Sequence, residues 1–107
     1  MAVSNFIRHK TVQLVYYVRG FWRGLIPYSE INLFVWDTFE EWRQVTNRHS
    51  SPLSEREQVF WHLIYQVHAL PPDSLLQDNT LRTELAQCIE FLEHGGFKPF
   101  ECVGIRP

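Results

Sequence analysis

The feature that most constrains this chain is the spacing of apolar residues between Ser29 and Val45, SEINLFVWDTFEEWRQV. Ile31, Phe34, Val35, Thr38, Phe39, Trp42 and Val45 recur at three- and four-residue intervals, which gathers their side chains onto one face of a helix. The spacing predicts a central helix that buries this face, with Phe39 and Trp42 nearly fully enclosed. Leu33 and Trp36 lie opposite, so the helix is apolar on two faces and is either central or keeps one face for another surface. Pro27 ends the preceding segment, Ser29 is the predicted N-cap, and Tyr28 with Leu33 forms a hydrophobic staple.

The rest of the chain is subordinate to that helix. Val3, Ile7, Leu14, Val18, Phe21 and Leu25 share a face of a first helix over Val3–Leu25, with Tyr17 and Trp22 at its edges. The β-branched and aromatic run Val12–Val18 leaves a second option, an α+β fold in which this run pairs with Phe100–Ile105 as a two-stranded ribbon. Gly20 and Gly24 form a G-x-x-x-G, read here as the fraying end of the helix. After the polar loop Asn47–Pro52, Ser51 with Pro52, or Ser54 with Glu57 three residues on, starts a third helix. Its buried face is Val59, Phe60, Leu63, Ile64, Val67 and Leu70, and Trp61, Tyr65 and His68 form a second stripe almost opposite. Pro71 and Pro72 stop it, and Leu75 and Leu76 tuck inward from a short connecting piece. A fourth helix, capped by Asp78 or Asn79, buries Leu81, Leu85, Cys88, Ile89 and Leu92 and ends at Gly95, placed in the left-handed cap position. Phe97, Phe100, Val103 and Ile105 mark the tail, 97–107, as docked rather than free. The predicted fold is therefore all-α: an antiparallel bundle of about four helices with an extended C-terminal tail, in one domain spanning 1–107.

Composition enters as a limit on function. An apolar fraction of 45% across 107 residues fills one modest core. Four bases (Arg8, Lys10, Arg19, Arg23) and no acid precede Glu30, whereas six bases and twelve acids lie from there on. The first segment is thus a basic arm on an acidic body, and a formal net charge of -2 gives no general attraction to nucleic acid. Early charges break any secretory apolar region, and no stretch reaches the roughly 18 to 20 apolar residues of a membrane span. Two cysteines, Cys88 and Cys102, fit neither a disulfide framework nor a four-ligand zinc site by spacing, which makes a reducing cytoplasm the expected location.

Leu53-Ser54-Glu55-Arg56-Glu57 resembles the opening of the helix-turn-helix in LuxR-type regulators, where a similar L-S-x-R-E begins the DNA-binding unit. The next residues, QVFWHLIYQVHALPPDS, contain no short turn and no basic recognition helix, so a capping box accounts for the run. Signatures of enzymes are equally sparse: no phosphate-cradling glycine loop, no G-x-S-x-G and no H-E-x-x-H. Glu90 and His94 are a local carboxylate–histidine pair, but the Glu-x-x-His pairs of di-iron bundles are missing. Cys88 sits on a buried stripe, and Cys102, in the tail, is the less buried thiol, with His94 and Lys98 its nearest bases in sequence. No catalytic residue, metal ligand or cofactor is assigned.

These readings lead to a small cytoplasmic interaction protein, a homodimer or an adaptor, whose partner-binding surface comprises Leu33, Trp36, Trp61, Tyr65 and His68. That much aromatic surface is more than a solitary small domain leaves wet; the competing expectation is that the tail folds back over it. Arg8, Arg19 and Arg23, with Val12 and Tyr16 between them, form a basic stripe on the first helix. It pairs with acids of the body or of a partner, or, in an alternative reading, binds an anionic membrane surface together with Trp22. A metal- or thiol-dependent enzyme using Glu90, His94 and Cys102 is the weakest alternative.

Overall fold

The computed structural model describes residues 2–99 and 101–107 and is all-α, with five helices and no strand among the described residues. Val12–Val18 is helical throughout, which removes the α+β option; Phe100, the first residue of its proposed partner strand, lies outside the described residues. No helix of the described residues is long and apolar enough to cross a membrane. The chain divides into two compact units, Met1–Pro52 with Pro107, and Leu53–Arg106.

The first unit is a pair of helices, α1 (Val3–Trp22) and α2 (Tyr28–Trp42). Rings pair in opposite chain order, Phe6 with Trp42, Tyr17 with Phe34 and Phe21 with Tyr28, so the two run antiparallel. The turn between them explains the glycines. The Gly24 amide donates to the Phe21 carbonyl and the Leu25 amide to the Gly20 carbonyl, the paired bonds of a Schellman end, with Gly24 at φ 74°. Ile26 then folds over Gly20, where any Cβ would lie 2.7 Å from its Cγ1. The glycine pair therefore builds a tight reversal rather than a frayed end. Because α1 stops at Trp22, Leu25 leaves the expected face and is exposed.

Within α2, Ile31, Phe34, Val35, Thr38 and Trp42 are buried as the spacing predicts, and the Thr38 hydroxyl donates to the Phe34 carbonyl at 2.8 Å. Phe39 is only half-buried, with its ring against the Trp36 edge, because it sits at the margin of the buried arc rather than at its centre. Ser29 is not the N-cap. The helix already includes Tyr28, which places Pro27 at the cap position with no side-chain bond.

The second unit contains α3 (Glu55–Ala69), the short α4 (Pro72–Gln77) and α5 (Asn79–His94), followed by the tail. Ser54 caps α3 by accepting from the Glu57 amide at 3.1 Å, and Asp78 caps α5 by accepting from the Leu81 amide at 3.0 Å. α3 packs on α5, and α4 packs on α5 as well. The Arg56 guanidinium donates to the Leu92 carbonyl while His62, further along α3, meets Cys88, earlier on α5, so these helices are antiparallel too. Val59, Phe60, Leu63, Ile64 and Val67 of α3 and Leu85, Cys88, Ile89 and Leu92 of α5 are buried. α5 ends at Gly95, whose φ of 76° suits a residue without Cβ, although its ψ of -149° is not that of the left-handed helix.

Candidate functional site

The tail lies along α3, but not through the apolar residues expected to dock it: Phe97, Val103 and Ile105 are exposed, Phe100 lies outside the described residues, and polar bonds hold the tail instead. Lys98 Nζ donates to Gln58 Oε1 at 2.7 Å, and the Gly104 amide donates to the Gln58 carbonyl at 2.9 Å. Gly104 is seated so closely that a Cβ would strike the His62 backbone nitrogen and lie 2.6 Å from the Trp61 carbonyl carbon. Beyond it, Arg106 donates from Nε and one terminal nitrogen to the two carboxylate oxygens of Glu57, at 2.6 and 2.8 Å. Glu57 also accepts from Trp61 Nε1 at 3.0 Å, so its charge is fully engaged although the residue is buried. The bidentate bond to Glu57 raises the Arg106 pKa against the opposing effect of burial, keeping the guanidinium charged.

This path runs beside one end of the stripe Trp61, Tyr65 and His68. Trp61 is fully buried, while Tyr65 and His68 are half-buried. Gly104 of the tail sits against the Trp61 backbone and Cβ, and the fully buried Trp61 ring is not accessible surface. Leu33 and Trp36 differ: they are 57% and 55% exposed.

The same path carries Cys102 inward. Its Sγ lies 3.5 Å from Cys88 Sγ, and both thiols are buried, Cys102 remaining the less buried of the two at 6% exposure against 1%. A ring nitrogen of His62 completes a cluster in which one donor atom from each of the three residues lies within 4.8 Å of the others. Burial, reinforced by the neighbouring Cys102, pushes the Cys88 thiol up, and burial lowers the His62 pKa against the pull of Glu84, favouring neutral imidazole. Spacing does not reveal this cluster, because its donors come from α3, α5 and the tail. Nor does it single out Glu57 and Arg106; the available signal is Glu57 standing four residues before Trp61 on one helical face. The local pair Glu90 and His94 stays exposed, outside the cluster, and Lys98 is engaged by Gln58 rather than by Cys102.

A second surface belongs to the α1–α2 pair. Arg8 and Arg23 are exposed and Arg19 is half-buried, with Val12 69% and Tyr16 67% exposed between them. Between the helices runs an open groove of about 370 Å³ in which Tyr17 and Leu33 are flanked by Glu30, Asp37 and Glu40. Lys10 spans it, paired with Glu41 and 5.5 Å from the Phe34 ring centre. α2 carries four acids and no base.

Comparison with protein-family models, with curated proteins and with solved structures gives no match to this chain.

Proposed function

We propose that this chain is a small interaction protein of a reducing, cytoplasmic environment whose partner is a second copy of itself, joined through the outward side of the α1–α2 pair. The observation that carries the reading is the coexistence on one helical pair of exposed large apolar residues, Val12, Tyr16, Leu33 and Trp36, with bases on α1 and acids on α2. In a twofold arrangement α1 of each copy lies against α2 of the other, so Arg8, Arg19 and Arg23 meet Glu30, Asp37 and Glu40 twice. The exposed apolar residues then leave water in the middle of the contact. Acids on the adjoining helix favour this occupant over an anionic membrane, which would be repelled by them.

Sedimentation equilibrium over a wide concentration range tests the reading. Trp36→Ala weakens the dimer by about 2 kcal/mol or more, as truncating an aromatic anchor does. Arg8→Glu/Arg23→Glu and Asp37→Lys/Glu40→Lys each abolish self-association, and mixing the two restores a heterodimer. A wild-type chain that is monomeric throughout overturns the proposal. Salt-sensitive co-sedimentation of that monomer with phosphatidylserine vesicles would assign the arginines to a membrane surface instead.

A further inference from the structure

We infer that His62, Cys88 and Cys102 form a three-ligand site for zinc(II), with water in the fourth position, and that the bound cation staples the tail to α3 and α5. The donor set is one imidazole and two thiols, the ligands zinc prefers, supplied by three separate segments that converge on one point. Two thiolates on a zinc ion, each about 2.3 Å from it, stand about 3.8 Å apart in a tetrahedral site. The observed Sγ···Sγ distance of 3.5 Å is close to that.

Two further observations favour a cation over a bare thiol pair. The convergence is built: Gly104 has no Cβ where one would strike the backbone of His62, and the Arg106–Glu57 and Lys98–Gln58 bonds fix the tail on either side of Cys102. A disulfide between Cys88 and Cys102 would need no imidazole beside it, whereas His62 is there. Charge also balances. Zinc binding replaces two S–H bonds by two Zn–S bonds and releases two protons to solvent, leaving a locally neutral site where separate thiolates would be costly to bury. Glu84, one turn before Cys88 on α5, acts electrostatically on both Cys88 and His62 and adds negative potential beside the cation.

The test uses the full chain without a histidine tag, reduced and stripped with a chelator. Titration with cobalt(II) gives a thiolate-to-cobalt charge-transfer band that saturates at one equivalent and is displaced by zinc. Cys88→Ser and Cys102→Ser each weaken binding and at least halve the band's intensity at saturation, and the double variant removes it. His62→Asn, at a half-buried position, keeps the fold and weakens binding by at least about tenfold, the smallest loss usual even for an outer partner of a metal ligand. Zinc raises the melting temperature of the wild type and not of Cys102→Ser, with circular dichroism confirming that each variant is folded. No charge-transfer band, or a titration indifferent to Cys102→Ser or His62→Asn, overturns the inference. So does a reduced chain that binds no cobalt but closes Cys88 to Cys102 as a disulfide in air.

Discussion

Arg106 grips both carboxylate oxygens of Glu57, forty-nine residues away in sequence, and this pair holds the end of the tail on the first turn of α3. Glu57→Gln keeps an acceptor for Trp61 but removes the charge that compensates the guanidinium. Both side chains are almost fully enclosed, so the loss of stability falls within the about 3 to 5 kcal/mol of a broken buried pair. Glu57→Gln and Arg106→Gln together cost less than the sum of the two, as measured by urea denaturation in a double-mutant cycle. Additive losses would mean the two residues act separately.

Gly104→Ala is the smallest change that dislodges the tail. The new methyl group meets backbone atoms of Trp61 and His62, which cannot rotate away. The variant exposes Trp61, shifting its fluorescence to the red, and becomes susceptible to proteolysis after Pro99, with helix content retained. Unchanged emission and protease resistance would show that the tail slides on α3 without loss.

Trp42→Ala removes a large, almost fully buried ring that packs on Phe6, at a cost of roughly 3 to 5 kcal/mol. Phe39→Ala, at a half-buried position, costs clearly less. Thermal or chemical melts of the two variants rank them, and an equal loss would place Phe39 in the core after all.

Tyr65 is held above the ordinary phenol pKa of 10.0 by burial. The folded chain therefore retains a proton that the unfolded chain gives up, so this group's contribution to stability is fully present below pH 10 and is lost as pH rises through the raised value. Ultraviolet titration of tyrosinate shows a late-ionising step, and Tyr65→Phe deletes it. A variant with an unchanged late step would transfer the shift to another tyrosine.

The helices are legible wherever one face is buried, because burial imposes the three- and four-residue spacing that sequence displays. Ile31 through Trp42 and Val59 through Val67 are read directly in this way. Phe39 marks the limit: spacing gives the centre of a buried arc and not its margin. Leu25 falls off the expected face because the reversal at Gly24 depends on backbone bonds to Gly20 and Phe21 that no periodicity records. Trp61 reads as part of a second apolar face, but what lies beside it is a matter of the tail's route. That route rests on one absent methyl group and one ion pair, and the same hidden route brings Cys102 to Cys88 and His62. Contacts between distant segments leave no period in the sequence.

The seat of Gly104 also sets an order of events. The helices of each pair pack along their length, whereas the tail is tied to α3 by a few bonds to Gln58 and Glu57 and has the least to lose on detaching. The tail is then expected to be the first segment to leave. Its departures have a built-in reporter: the Gly104 amide hydrogen, pointed at the Gln58 carbonyl, is shielded from solvent deuterium only while the tail is seated, so its exchange rate clocks detachment apart from unfolding of the helices beneath.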